Sequence, residues 1–245
     1  MISTVTIASD YEIIGDFNVN QQKTHSESLV PMIEKLLDLL GMNIKDIDAF
    51  VIAKGPGSFT GLRIGMTVAK TLAQVNGKRL IPISTLLALA NNSSSECLKA
   101  PMLDARGNRV YAAVYDKDYN ELINEDLYEI EDFIKLVDDL GEEVELIGEI
   151  CGKYLEDFKN AHILPINFNN CIGKSLIRLG LIHINESPDL FEISPNYLRK
   201  SQAEREYEKK NKAWKWLERC KDLIQTVSMK LKTRHFLNLG QRKVS

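Results

Sequence analysis

The sequence predicts an α/β fold built from two similar lobes. Two strand-like segments, a helical segment, and then alternating short strands and helices occupy the first part of the chain. After the polar stretch 92–96 a similar order begins again, with three strand-like segments followed by a helix and a strand. Such alternation is typical of sheets covered by helices, and its repetition indicates a duplicated fold. We therefore expect an N-terminal lobe at 1–97, a C-terminal lobe at 98–198 and a tail at 199–245.

The first helix of the N-terminal lobe has an unusually wide apolar face. Thr24 and Glu27 have the spacing of a capping box, and Gly41 ends the helix. At about 100° per residue the apolar positions cover roughly half of the helix surface, more than packing on one sheet requires. They are Leu29, Val30, Met32, Ile33, Leu36, Leu37, Leu39 and Leu40. Two interpretations remain open: a helix wedged in its own core, or a helix that binds a partner.

A glycine-rich loop at 55–65 joins a buried strand at 49–53 to the second long helix. The start of a helix favours anions, and glycines also let another backbone approach closely. The loop fits neither a Walker A motif nor a standard dinucleotide fingerprint. The candidate anion- or nucleotide-binding residues are Gly55, Gly57, Ser58, Thr60 and Arg63. In the alternative interpretation Thr60 caps the helix and Arg63 pairs with an acidic group on its own surface.

The second long helix, at 61–75, carries small residues every fourth position. Gly65, Ala69 and Ala73 form a smooth strip, with Leu62 and Met66 beside it. Such a strip predicts that another helix approaches closely.

Turn and capping residues also mark the ends of the remaining predicted strands and helices. A strand at 79–83 leads into a short helix capped by Ser84 or Thr85. We predict strands also at 4–8, 12–19, 100–104, 109–115, 121–128 and 144–147, and helices at 131–140 and 171–186.

Composition and motif spacing exclude several classes of function. The four cysteines are scattered without a C-x-x-C pair, and the four histidines lack metal-binding spacing. There is no G-x-S-x-G nucleophile motif. No apolar run approaches the length of a membrane span, and the first residues lack a signal-peptide pattern. These patterns favour a reducing cytoplasm and give no support to a zinc ribbon, a disulfide framework or a hydrolase triad.

The predicted tail differs from the rest of the chain in charge. Residues 199–245 carry 14 basic and five acidic residues, whereas the rest of the chain has a net charge of −12. The open interpretations are an arm that binds RNA, a lineage-specific basic tail and a frameshifted extension.

Residues 55–65 closely resemble the TsaB (YeaZ) family, a partner protein in the synthesis of threonylcarbamoyladenosine on tRNA. Segments 24–27, 82–86, 104–106 with Val110 and Tyr111, and 195–199 add to the match in the family's order. The resemblance covers residues 2–208 and ends near residue 210.

This resemblance implies a two-lobed fold of the actin, Hsp70 and sugar-kinase type, with duplicated β-β-β-α-β-α units. It implies a scaffold subunit without catalytic activity or a cofactor of its own, with ATP and metal held by partner subunits. Those partners are the paralogue TsaD and the ATPase TsaE, which together modify the adenosine next to the anticodon of tRNAs that read ANN codons. Thr85 and Leu89 stand where TsaD-like sequences carry two metal-binding histidines.

The resemblance also assigns an interface. The helices at 27–41 and 61–75 are expected to contact TsaD, or a second copy in the isolated protein. The expected partner-binding residues are Leu29, Met32, Ile33, Leu36, Leu62, Gly65, Met66, Ala69 and Ala73.

One departure concerns the start of the chain. Family members begin with a strand that ends in Asp-Thr-Ser, and this sequence starts after it, so we expect an incorrect start site or a truncated gene. The alternative function is a small ATP-dependent kinase or ATPase of the same fold. A dinucleotide-dependent oxidoreductase is a third hypothesis.

Overall fold

A computed structural model describes residues 2–9, 12–20, 25–165, 172–186, 188–198 and Tyr207. The chain divides into two units, Met1–Arg199 and Lys200–Ser245, and the elements below belong to the first. Three predictions lie outside the described residues: the cap at Thr24, the start of the last helix at Cys171, and the basic tail apart from Tyr207.

Nine strands and six α-helices make up the described part of the chain. The strands are β1 (Ile2–Ser9), β2 (Glu12–Asn20), β3 (Ala49–Gly55), β4 (Arg79–Ser84), β5 (Leu98–Asp104), β6 (Arg109–Tyr115), β7 (Glu121–Glu129), β8 (Val144–Ile147) and β9 (Ala161–Ile163). The helices are α1 (His25–Leu40), α2 (Phe59–Asn76), α3 (Thr85–Ala90), α4 (Ile130–Asp138), α5 (Cys151–Tyr154) and α6 (Gly173–Ile182). Single 3-10 turns lie at Ile44–Asp46, Leu155–Asp157 and Ile184–Glu186.

The strands form three sheets. β1 and β2 pair antiparallel, and β3 and β4 pair parallel. The third sheet has the order β7-β6-β5-β8-β9, in which β5 is antiparallel to β6 and parallel to β8. This is a mixed α/β architecture with a multi-stranded sheet.

The largest core cluster lies between the five-stranded sheet and α4. Phe133 of α4 is fully buried against apolar side chains of β5, β6 and β8. Removing each such large apolar side chain from water stabilises the folded state by about 1.5–3 kcal/mol. Lys99 of β5 is also fully buried, and its ammonium donates hydrogen bonds to the carbonyls of Ser95 (2.7 Å) and Cys97 (3.3 Å). Burial lowers the pKa of Lys99.

Helix α6 packs on strands from both small sheets. A side chain at Gly173 would overlap Thr6 of β1, and a side chain at Gly180 would overlap Val51 of β3. The two glycines therefore let the α6 backbone lie directly against β1 and β3.

The predicted elements are largely confirmed. Every strand and helix expected from the sequence is present where the structure describes it, with bounds that differ by a few residues. Ser84 caps α3 by accepting hydrogen bonds from the backbone of Leu86 and Leu87, which settles the choice between Ser84 and Thr85. Short elements were missed: α5 and β9 have too few residues for a clear period.

Across the described ranges, none of the helices combines the length and the apolarity that crossing a bilayer would take.

Candidate functional site

The glycine-rich loop begins where β3 ends. Gly55 has φ 109°, a conformation that favours glycine, and the Gly55–Pro56 peptide bond is cis. The hydroxyl of Ser58 accepts a hydrogen bond from the Gly61 amide at 3.3 Å, so Ser58 caps α2. Thr60, the cap expected in the alternative interpretation, is exposed within the first turn instead.

Arg63 is fixed by aromatic side chains. Its guanidinium lies 4.1 Å from the centre of the Phe59 ring, and its Nε donates a hydrogen bond to the Tyr197 hydroxyl at 3.1 Å. The Phe59 and Tyr197 rings are themselves 4.5 Å apart between centroids. Within the described residues these aromatic side chains are its partners, which differs from the alternative interpretation in which Arg63 pairs with a surface acid.

A backbone segment from the end of the described fold covers one side of the loop. The amide of Asn196 donates a hydrogen bond to the Lys54 carbonyl at 2.6 Å. A Cβ at Gly55 would lie 2.8 Å from the Asn196 carbonyl oxygen. Gly55 is thus required where another backbone approaches, which is the second of the two roles that the sequence left open.

The small-residue strip of α2 faces the chain's own core. Met66 and Ala73 are buried, and Ala69 packs beside them against Leu80 of β4 and Ile193. A Cβ at Gly65 would lie 3.4 Å from Ile52 of β3. In this arrangement the strip packs on β3 and β4, where a partner helix was expected.

Helix α1 also directs most of its apolar face inward. Met32, Leu36 and Leu37 are buried, and Ile33 packs beside them on β1 and β2. The residues that remain exposed are Val30 (43%) and Leu39 (67%), whereas Leu29 is half-buried. The wide face is therefore mainly a core face with two exposed margins.

A second apolar stripe runs along α2 opposite the core-facing strip. At about 100° per residue, Ile64, Val68 and Val75 fall within about 40° of one another and about 140–180° from Ala73. Ile64 and Val68 are half-buried and Val75 is 78% exposed. We call Ile64, Val68 and Val75 the outer stripe. Sequence reasoning missed it, although the spacing of i, i+4 and i+11 was the available signal.

Helix α3 begins directly after β4. Thr85 starts the helix, and Leu89 one turn later is 3% exposed and packs on Ile147 and Leu164. The side chain at this position is thus part of the hydrophobic core.

A partly buried polar network connects β4 with the five-stranded sheet. The Glu125 carboxylate accepts hydrogen bonds from the hydroxyls of Ser84 and Tyr115, the latter at 2.6 Å. Burial, followed by the charge of Glu125, raises the pKa of Tyr115. Ser84 therefore both caps α3 and fixes β7 to β4.

The chain is similar in sequence to proteins of one known family. The sequence model described as "TsaD: tRNA N6-adenosine threonylcarbamoyltransferase" matches residues 12–161. The chain belongs to the TsaD family. This family includes the TsaB (YeaZ) proteins, the group that the loop at 55–65 resembles, and the relatives identify the chain as a member of that group.

Two relatives named TsaB show the extent of the sequence similarity. The tRNA threonylcarbamoyladenosine biosynthesis protein TsaB of Bacillus subtilis (strain 168) is 28% identical over 209 residues, which are 82% of this chain and 90% of the relative. The protein of the same name from Escherichia coli (strain K12) is 35% identical over 129 residues, 49% of this chain and 55% of the relative.

Solved structures of the family share the fold. A Pseudomonas aeruginosa protein described as similar to peptidase YeaZ has a TM-score of 0.69 and 23% identity, covering 81% of this chain and 94% of its own. YeaZ from Pseudomonas aeruginosa has a TM-score of 0.65 and 21% identity, with coverage of 80% and 94%. At this identity the likeness concerns the fold alone.

Proposed function

We propose that the chain is a non-catalytic subunit of the bacterial complex that makes N6-threonylcarbamoyladenosine on tRNA. In this proposal the chain forms a heterodimer with the TsaD paralogue and associates with TsaE. The complex, and not this chain alone, binds the tRNAs that read ANN codons. Membership of the TsaD family and the name shared by the TsaB relatives support this assignment. ATP and the catalytic metal belong to the partner subunits.

The side chains of α3 support the non-catalytic role. Thr85 and Leu89 occupy the positions that the family resemblance gives to two metal-binding histidines of TsaD. Neither offers an imidazole nitrogen, and Leu89 is buried among Ile147 and Leu164. Transfer of a threonylcarbamoyl group is therefore assigned to the partner.

The observation that carries the pairing proposal is the outer stripe of α2. Val75 is 78% exposed, and Leu39 of the neighbouring α1 is 67% exposed. Covering such side chains would contribute about 25 cal/mol for each Å² of apolar surface removed from water. We assign this face to the contact with TsaD, and to a second copy when the chain is alone. The two helices are then held in place by side chains that pack in the core on their opposite faces, namely Met32, Leu36, Met66 and Ala73.

The finer fold assignment rests on strand order. β6 pairs antiparallel with β5 and β7 pairs antiparallel with β6, whereas β8 pairs parallel with β5 and β9 pairs parallel with β8. The antiparallel pair β1–β2 and the parallel pair β3–β4 have the same order along the chain. We assign the fold to the duplicated actin, Hsp70 and sugar-kinase type on this basis. An equivalent of β5 in the first half is not among the described residues.

The glycine-rich loop keeps a secondary role in the proposal. Gly57, Ser58 and Thr60 lie at the start of α2, where backbone amides and the helix dipole favour an anion. An anion there would come from a ligand shared within the complex.

Co-purification with TsaD of the same organism tests the pairing. Val75→Lys adds a charge to the outer stripe at the end of a helix that tolerates a basic residue. Leu136→Lys, at a 43% exposed position in the last turn of α4, is the matched control. We expect Val75→Lys to lose TsaD and Leu136→Lys to retain it, with unchanged circular dichroism. Wild-type recovery of TsaD by Val75→Lys contradicts the proposed interface.

The alternative, a small ATP-dependent kinase or ATPase, makes a different prediction. The isolated chain would then bind and turn over ATP without TsaD or TsaE. We expect no turnover above a buffer blank, and turnover that survives repurification would replace the scaffold assignment.

A further inference from the structure

Three strands of the five-stranded sheet bring a thiol, a carboxylate and an imidazole together. Cys97 precedes β5, Glu143 precedes β8, and His162 lies in β9. The register aligns Leu98 with Val144 and Val144 with Ala161, so these side chains meet at one end of the five-stranded sheet. Their ligand atoms all lie within 4.8 Å of one another.

The spacing of these atoms suits a small divalent cation. The Cys97 thiol lies 3.5 Å from Glu143 Oε2, and His162 Nδ1 lies 3.2 Å from Glu143 Oε1. The two distances end on different oxygens of the Glu143 carboxylate, and each is close to the roughly 3.3–3.5 Å that separates two ligand atoms around a tetrahedral zinc ion.

The imidazole is oriented as a ligand. His162 Nδ1 is shielded from solvent and has no partner in hydrogen-bond geometry, despite its short distance to Glu143. On the other side of the ring, Nε2 lies 3.4 Å from the carboxylate of Glu145, which is buried. A carboxylate behind a histidine holds the proton on the far nitrogen and leaves the near nitrogen free for metal. Glu145 is itself fixed by the Ser95 hydroxyl at 3.1 Å.

The local charges match a divalent ion. A thiolate at Cys97 with carboxylates at Glu143 and Glu145 supplies three negative charges, and the nearby Lys99 ammonium offsets one.

We propose that Cys97, Glu143 and His162 form a zinc-binding site, with Glu145 as the positioning residue behind His162. A thiolate and an imidazole select zinc over magnesium or calcium. The site would cross-link the starts of β5 and β8 with β9. It departs from the expectation that the chain holds no metal, and it does not depend on the proposed pairing with TsaD.

Titration of the purified full-length chain with Co²⁺ and Zn²⁺ tests the proposal. We expect a thiolate-to-cobalt charge-transfer band and tetrahedral cobalt absorption, both displaced by one equivalent of Zn²⁺. Cys97→Ser should abolish the charge-transfer band, and His162→Gln should weaken Zn²⁺ binding at least 100-fold. Glu145→Gln should weaken it about 10- to 100-fold.

Two controls separate this site from adventitious binding. His183→Gln removes a histidine that pairs with Glu186 at 2.8 Å elsewhere, and it should bind Zn²⁺ as the wild type does. Circular dichroism reports whether each variant is folded. The proposal is overturned if the folded wild type binds no Zn²⁺ at micromolar concentration. It is equally overturned if Cys97→Ser keeps the charge-transfer band or His162→Gln keeps wild-type affinity.

Discussion

Arg63 and Tyr197 are joined by a hydrogen bond of 3.1 Å although 134 positions separate them in the sequence. Arg63 belongs to the first turns of α2, and Tyr197 belongs to the segment that covers the glycine-rich loop. The start of α2 and the segment that contains Tyr197 are thus fixed to each other by one charged side chain that contacts two adjacent aromatic rings.

We predict a measurable coupling between these two residues. Tyr197→Phe removes one hydrogen bond and should lower the free energy of unfolding by about 0.5–1.5 kcal/mol. Arg63→Ala also removes the stacking on Phe59 and should cost about 0.5–1 kcal/mol more. Denaturant unfolding of both single variants and the double variant measures the coupling. Strictly additive effects would show that the contact contributes nothing.

The two leucines Leu36 and Leu39 of α1 should respond very differently to truncation. Leu36 is 3% exposed, and Leu36→Ala leaves a cavity that should cost about 2–5 kcal/mol of unfolding free energy. Leu39 is 67% exposed, and Leu39→Ala should change stability by less than about 0.5 kcal/mol. Chemical denaturation of both variants checks this. Equal losses would mean that α1 packs with a different face. Because Leu36 is buried, a charged substitution there would unfold the protein and could not test partner binding.

Gly180 should resist even a single methyl group. A Cβ there overlaps Val51 of β3, so Gly180→Ala should destabilise the fold by about 1–3 kcal/mol despite the better helix propensity of alanine. Val51→Ala in the same chain should recover part of this loss. Gly152 is the matched control, because its nearest neighbour would be Ile163 Cδ1 at 4.0 Å. Thermal unfolding that ranks Gly180→Ala level with Gly152→Ala would contradict the close packing of α6.

The burial of the Cys151 thiol leads us to predict that the stability of the fold depends on pH. Burial raises its pKa from 9.0 to about 12. The unfolded chain therefore releases this proton first, and stability falls as pH rises from about 9 to about 12. Between pH 8 and pH 10 the wild type should lose about 1.4 kcal/mol relative to Cys151→Ala. Urea unfolding at both values measures this difference, and parallel curves for the two proteins would refute the assignment.

Local sequence patterns predicted the elements well because their causes are local. Apolar periodicity marked α1 and α2, and Gly41 and Gly77 both adopt the positive φ expected after a helix. The outward margins of α1 were not predictable in the same way. Whether Leu36 or Leu39 is covered depends on where β1, β2 and α2 lie. The apolar periodicity of a single helix carries no information about the positions of those neighbours.

The candidate sites required long-range geometry. Ser58 and Thr60 are both hydroxyl residues at the start of α2, and only the path of the loop decides which of them caps it. The ligands Cys97, Glu143 and His162 have no recognisable spacing because three strands in register bring them together. A search for motifs along the sequence is insensitive to such clusters.

Ile193 closes the cluster formed by Met66, Ala73 and Leu80, yet it is synthesised more than a hundred residues after them. On a growing nascent chain, β3 and β4 can cover most of the inner face of α2 early, whereas the position that Ile193 fills stays exposed to solvent until residue 193 has left the ribosome. The outer stripe, in contrast, needs nothing from that residue. The core beneath α2 is thus completed late, by a residue that is distant from α2 in the sequence.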